Sequence, residues 1–288
     1  MHVLKLEINN YRHMKDLSRR SITGVVYVVL MLAGAAFHPL LFAVVFGTFL
    51  YLTQLEFYQL LEKAGSAPRK TAGLALGLLF FIICFGMVNN LLPAKSYLIF
   101  IPALTFIFLF EAFSEKSGIL QNSAVTFTGF VYVAVPFSLL NFMVHPGYPN
   151  YPVFNAKILI GVFFIVWVYD SMAYMAGSMF GKHKIHKKIS PNKSWEGLIA
   201  GTVFALLTGI LNSVIFQHPS VLNWLAISVI VVLFGTLGDL FESIIKRRLN
   251  VKDSGTILPG HGGLLDRFDS LLFVIPVVYV WLDFTGNL

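Results

Sequence analysis

The sequence predicts an all-α, polytopic integral membrane protein with about nine transmembrane helices. Three observations carry that reading. The 288-residue chain is 57% hydrophobic and only 12% charged, with a mean hydropathy of +0.75, whereas a soluble domain is nearer half apolar and a quarter charged. Several runs of about 18 residues or more are almost free of charge, long enough to cross a hydrocarbon core of roughly 30 Å. Those runs are continuously apolar rather than alternating. This favours helices over a barrel, the two structures that satisfy every backbone group in lipid.

Taken in order, the runs are 22–36, 39–60, 72–90, 97–112, 123–143, 156–179, 195–217, 221–245 and 270–286. The first 20 residues are polar and basic, with no small-residue cleavage site after a short apolar core. The first run is therefore expected to act as its own insertion signal, and the first two runs could instead form a tight hairpin. Nine crossings put the two ends on opposite sides and make the loops alternate. On that count 19 of the 21 Lys and Arg residues share one side: the N-terminus, the 61–71, 113–122 and 180–194 loops, and the segment from Lys246 to Arg267. Lys95 and Lys157 fall on the other. Basic residues collect in cytoplasmic loops, so the N-terminus and these loops are expected in the cytoplasm. The same rule accounts for the net charge of +7 without nucleic acid as a partner. Cys84, the single cysteine, permits no disulfide within the chain and reads as a small buried apolar residue. With no internal repeat or long linker, residues 1–288 read as one membrane domain.

Charge is concentrated where chemistry is expected. Lys246 to Asp269 holds eight of the 35 formal charges. Asp170 and Asp239 lie within apolar runs, where a carboxylate costs several kcal/mol and normally faces a polar cavity or a partner. Asp239, Glu242 and Lys246 share one helical face. That face reads either as an internal salt bridge or as the wall of a polar site opening to the cytoplasm. "PGHGG" sets three glycines around His261, an arrangement that brings backbone N–H groups to an anion. Asp266 and Asp269 follow, three apart with Arg267 between them. Hard oxygen ligands beside glycines and basic residues suit a magnesium–phosphate site. The plainer readings are that Asp269 and Ser270 cap the last run and that residues 246–248 anchor the chain at the membrane surface.

The block "GKHKIHKKISPNKSWEG" from Gly181 raises the same question. Ser190-Pro191 reads as a helix start, with serine as N-cap and proline first, and a helix N-terminus attracts anions. Lys182, Lys184, Lys187, Lys188 and Lys193 add to that attraction. "GSMFGKH" from Gly177 is one residue short of a phosphate-binding loop and lacks the hydroxyl after lysine. "NKS" at Asn192 matches a glycosylation signal only by accident if the loop is cytoplasmic. His183, His186 and His261 have no zinc-type spacing.

The pattern Ser243-x2-Lys246-Arg247-x4-Lys252-Asp253-x-Gly255-x2-Leu258-Pro259-x-His261-Gly262-Gly263-x2-Asp266-Arg267-x-Asp269 resembles the signature of the phosphatidate cytidylyltransferases, or CDP-diacylglycerol synthases. "ISPNKSWEG" is similar to the family's second block, with Ser194 where threonine is usual, and "DSMAYMAGSMFGK" is similar to the segment before it. The N-terminal half resembles the family only loosely. The resemblance implies that phosphatidic acid attacks the α-phosphorus of CTP at a bacterial plasma membrane, giving CDP-diacylglycerol and pyrophosphate. On that basis the active site is expected to face the cytoplasm and to be built from 170–197 and 239–270. Asp239 and Asp266 are expected to hold magnesium, with Asp269 as a third ligand or its support. Lys246, Arg247, Lys252, His261 and Arg267 are expected at phosphates, with Gly262 and Gly263 beside them. Ser190, Lys193, Ser194 and Glu196 are expected to bind the nucleotide, and Asp170 to orient the cluster. Two other functions would fit parts of the pattern: a CTP-dependent lipid-alcohol kinase and an ion-coupled transporter. A homodimer is an option the sequence leaves open.

Overall fold

Long apolar runs become long helices because the helix satisfies its own backbone where water is absent. The computed structural model describes residues 22–113, 118–150, 152–186, 190–257 and 262–288. His261, Leu258 and Pro259 of the signature, Lys187 and Lys188, Lys116 and the basic N-terminus lie outside the described residues. Every expected run has a helical counterpart within a few residues: α1 (Ile22–Ala36), α2 (Pro39–Glu62), α3 (Lys70–Val88), a 3₁₀ turn (Ala94–Ile99) leading into α4 (Phe100–Ala112), α5 (Ile119–Gly129), α6 (Val135–Met143), α7 (Lys157–Phe180), α8 (Trp195–Phe216), α9 (Val221–Ile230), α10 (Thr236–Arg248) and α11 (Leu265–Phe284). Short π-helical segments, Phe130–Ala134 and Val231–Gly235, join α5 to α6 and α9 to α10. The resulting continuous helices are Leu120–Met143 and Val221–Arg248. Pro136 follows the first of these segments. It lacks the N–H of a regular helical bond, and a π turn is one way to absorb that loss.

Six helices among the described residues are long and apolar enough to cross a membrane: α2, α3, α7, α8, Leu120–Met143 and Val221–Arg248. The helix α1 and the Ala94–Thr105 stretch are shorter, and α11 carries Asp266, Arg267 and Asp269 in its first two turns. Between α1 and α2 only Phe37 and His38 intervene. His38 Nδ1 accepts from Leu40 N at 3.1 Å, and Pro39 opens α2, a sharp reversal fixed by a cap and a proline.

Buried polar groups tie the helices together where apolar packing is nondirectional. In the N-terminal half, Gln54 Nε2 donates to Tyr58 Oη (2.9 Å) and to the Gly73 carbonyl (3.0 Å), while Tyr58 Oη donates to the Thr126 carbonyl (2.8 Å). In the C-terminal half, Asn212 Nδ2 donates to the Gly161 carbonyl and Ser228 Oγ to the Ala205 carbonyl, both at 3.0 Å. These bonds join α7, α8 and α9.

The loop after α7 is where the structure corrects the sequence. Residues 190–194 do not start a helix. They form β2 (Ser190–Ser194), which pairs antiparallel with β1 (Lys184–His186), Lys184 opposite Ser194. The N-cap of α8 is Ser194, whose Oγ accepts from Gly197 N at 3.2 Å. Ser190-Pro191 and Ser194 both carry helix-start chemistry, and the apolar run begins only after the second. Proline is tolerable in β2 because each strand of a two-stranded ribbon has a free edge.

Candidate active site

The helices α10 and α11 approach closely at Gly238. A Cβ at that position would collide with the Asp269 carbonyl oxygen and lie 3.1 Å from Ser270 Cα. The next residue, Asp239, is thereby held against α11. Its Oδ1 accepts from Ser270 Oγ and its Oδ2 from Lys193 Nζ, both at 2.5 Å. One carboxylate thus joins α10, α11 and the hairpin. Both partners of the Lys193–Asp239 ion pair stay about a quarter exposed (28% and 22%), so a ligand can reach them.

One turn along α10, Glu242 is buried (1% exposed) and Lys246 nearly so. Lys246 Nζ donates to Glu242 Oε2 and to Asp266 Oδ1, each at 2.6 Å. Asp266 also accepts from Ser254 N (3.0 Å to Oδ2) and Gly263 N (2.8 Å). Its carboxylate therefore gathers a lysine and two loop amides, and fastens the glycine-rich loop to α10. Gly262 adopts φ +82, and a Cβ there would lie 2.7 Å from Asp266 Oδ2. The left-handed turn and the lack of a side chain are both needed to bring the loop so near the acid.

A residue from the other half of the chain completes this arrangement. Glu56, on α2 and 1% exposed, accepts from Leu265 N at 2.8 Å with its Oε2. It caps the N-terminus of α11 from 209 positions away, where a negative charge also complements the helix dipole. A Cβ on Gly255 or Gly263 would strike this carboxylate. Glu56 was not singled out from the sequence. The available signal was an acid inside the 39–60 run, costly in lipid for the same reason as Asp170 and Asp239.

Two cavities meet at these acids. The first, about 280 Å³, lies between the hairpin, α7, α8 and α10, and its wall includes Tyr169, Asp170, Ser190, Lys193, Ser194 and Asp239. The second, about 360 Å³, lies between α1, α7, α10 and α11. Asp170, Asp239, Asp266 and Asp269 line it with Arg267, opposite Thr23, Gly24, Tyr27 and Val28 of α1. Asp170 and Asp239 border both. The hairpin is held by Glu196, which accepts from His183 N (3.1 Å) and pairs with His183 Nδ1 (2.7 Å).

The expected residues therefore separate by position. Asp170, Ser190, Lys193, Ser194, Asp239, Asp266, Arg267 and Asp269 line one cavity or both. Ser194 Oγ accepts the capping bond from Gly197 N. Glu196 and Lys246 act on neighbouring protein groups, while Arg247 and Lys252 are exposed and border neither cavity. Gly262 and Gly263 hold Asp266 rather than an open pocket. Asp269 and Ser270 sit in the second turn of α11, which begins at Leu265, so they do not cap it. Instead Ser270 N donates to Asp269 Oδ1 at 2.7 Å.

Among the described residues, no three His, Cys, Asp or Glu side chains are grouped to enclose a metal ion by themselves. Magnesium asks for less, since it takes one or two carboxylates and completes its shell from water and substrate phosphates. Asp239 and Asp269 border the second cavity together; an ion at Asp239 would have to displace Lys193 from its Oδ2, a pair more exposed than Lys246–Asp266. Asp266 is engaged by Lys246 and the loop amides, so an ion there would have to displace the lysine.

The fold and site define a multi-pass helical membrane protein whose polar end gathers acids, lysines and two adjoining cavities. A model of the cytidylyltransferase family matches residues 18–285, and the chain belongs to that family. It is 37% identical over 213 residues to a phosphatidate cytidylyltransferase of Staphylococcus saprophyticus, covering 72% of this chain and 77% of the relative. A protein of the same name from Staphylococcus aureus is 48% identical over 126 residues, covering 43% of this chain and 48% of its own. One from Staphylococcus epidermidis is 43% identical over 127 residues, covering 44% and 49%.

Proposed function

We propose that this chain is a phosphatidate cytidylyltransferase, an enzyme of phospholipid biosynthesis that converts CTP and phosphatidic acid to CDP-diacylglycerol and pyrophosphate. Membership of the cytidylyltransferase family and the names of its relatives support the activity. The observation that carries the residue-level reading is the Lys193–Asp239–Ser270 junction between two adjoining cavities. Two substrates need two places, and their reacting phosphates must meet at one.

The reaction moves a cytidylyl group. An oxygen of the lipid phosphate forms a bond to the α-phosphorus of CTP. The bond from that phosphorus to the bridging oxygen breaks, and its electron pair leaves on pyrophosphate. No protein nucleophile is required, so positioning and charge stabilisation carry the catalysis. CTP is placed in the hairpin cavity, with Lys193 at a phosphate and Ser190 beside it. Asp239 fixes the lysine's ammonium, and Asp170 faces the same space. Asp239 and Asp269 would hold magnesium, which would supply positive charge against the phosphates. Arg267 adds a fixed positive charge in the adjoining cavity.

The membrane arrangement belongs to the same proposal. All nine helical stretches cross, the N-terminus is cytoplasmic, and the membrane is a bacterial plasma membrane. The 19-to-2 distribution of basic residues supports this orientation. So do the Lys193–Asp239 bond and the cavity that Asp239 shares with Asp266, which bring Lys193 and Asp266 to the same end of the helices.

Pyrophosphate release by the purified protein in detergent tests the reading. Release should need CTP, phosphatidic acid and magnesium together, and should stop when the metal is chelated. Release without lipid, or full turnover in chelator, would count against it.

A further inference from the structure

We infer that Tyr169 is a positioning residue for the proposed reaction: its hydrogen bond to Thr236 locks the π-helical segment before α10 and so sets the direction of Asp239. This rests on the cytidylyl-transfer reading above and extends it to a residue that acts through another. Three observations support it.

First, the bond has a direction. Tyr169 Oη and Thr236 Oγ are 2.6 Å apart. Thr236 Oγ also donates to the Val232 carbonyl at 2.6 Å, and a carbonyl only accepts. The threonine has one proton to give, so the Tyr169 hydroxyl donates to it. Two successive bonds therefore tie α7 to the start of α10 and to the π segment before it.

Second, the bonds lie where the helix register is decided. Val232 belongs to the π segment Val231–Gly235, and Thr236 is the first residue of α10. The threonine's side-chain bond thus reaches back across that segment. A π turn takes in one residue more than an α turn, and each residue rotates the helix by about 100°. Keeping the segment π decides which way every later side chain faces. Asp239 lies three residues past Thr236 on the same face. Both border the hairpin cavity, and Asp239 borders the second cavity as well.

Third, the tyrosine is itself fixed. It is buried, and a Cβ on Gly201 of α8 would lie 2.8 Å from its Cδ2. The ring is therefore seated on the backbone of α8. Its hydroxyl is a fixed point that does not turn with α10. The next residue along α7 is Asp170, which borders both cavities, so one turn of α7 places one acid directly and the other through Thr236.

The test uses Tyr169→Phe, Thr236→Val, the two together, and Thr236→Ser, each purified in detergent. With both substrates saturating, Tyr169→Phe and Thr236→Val should each lower kcat about tenfold, the worth of one buried hydrogen bond, with both KM values unchanged. The double variant should be no slower than either single one, because both substitutions remove the same bond. Thr236→Ser keeps the hydroxyl and should recover most of kcat. Hydrogen–deuterium exchange, measured without substrates, should quicken across residues 232–240 in Tyr169→Phe and stay as in the wild type across α2. Losses that multiply to about a hundredfold in the double variant would overturn the inference. So would a raised KM at unchanged kcat, or wild-type exchange across 232–240. Should Thr236→Val fail to fold, Tyr169→Phe decides alone, by kcat and by exchange. A wild type that transfers no cytidylyl group overturns the functional reading and the positioning role with it, whereas an active wild type matched by Tyr169→Phe overturns the positioning role only.

Discussion

Lys193 and Asp239 are 46 residues apart in the chain and meet at 2.5 Å. The lysine comes from a hairpin between two membrane helices and the aspartate from the middle of a third long helix. Asp239 borders both cavities and Lys193 the first, and Ser270 of α11 fixes the aspartate from the other side. A charge pair in apolar surroundings is costly unless both members are well bonded. Here both remain partly open, the condition for trading a protein partner for a substrate phosphate or a metal.

Asp239→Asn should leave a folded protein with turnover reduced at least about a hundredfold, the scale seen when one preorganised electrostatic group is removed. The amide still bonds to Ser270 but presents no full charge to Lys193. Steady-state kinetics on detergent-purified protein with an unchanged elution profile would check this. Turnover near wild type would defeat the central role given to Asp239.

Lys193→Ala should act mainly on the nucleotide. Its apparent KM for CTP should rise about tenfold or more, the worth of one charged hydrogen bond, with a smaller effect on phosphatidic acid. Titrating each substrate at saturating levels of the other separates the two. A CTP affinity equal to wild type would remove Lys193 from the nucleotide cavity.

Lys246→Met should be a stability variant. It leaves Glu242 and Asp266 without their shared cation, and breaking a buried pair costs about 3–5 kcal/mol. Folded yield and Tm should fall together. Adding Glu242→Gln should restore part of the loss, because one of the two stranded charges is then gone. A single variant with wild-type Tm would show that the buried pair contributes little.

Glu56→Ala should cost about 1–3 kcal/mol by leaving Leu265 N without its acceptor in a buried site, and should lower turnover by loosening the start of α11, where Asp266 lies. Glu56→Gln keeps an acceptor and should recover much of the stability. Thermal unfolding and kcat on the three proteins make the comparison. Identical losses in Gln and Ala would mean that the charge, not the bond to Leu265, is what matters.

The sequence disclosed what is local and left unseen what is not. The helical runs are written as uninterrupted apolar stretches, so their counterparts appear within a few residues. Asp170 and Asp239 stood out because an acid in such a stretch needs a reason, and the Glu242–Lys246 pair follows from helical spacing. The hairpin was missed because Ser190-Pro191 and Ser194 offer competing helix starts, and strand pairing settles the choice through contacts the spacing does not encode. Glu56 meets Leu265 across 209 residues, and the Tyr27 ring packs on Phe268 of α11 only because α1 lies there. Neither relationship leaves a local trace.

The most direct measurement is the fate of the label from CTP carrying ³²P at the α position, compared with CTP labelled at the γ position, incubated with purified protein, phosphatidic acid and magnesium. A cytidylyltransferase puts the α label into the lipid-extractable product and leaves the γ label in pyrophosphate. Lipid that carries the γ label would mean phosphoryl transfer by a kinase, and label in neither lipid product would contradict the account altogether.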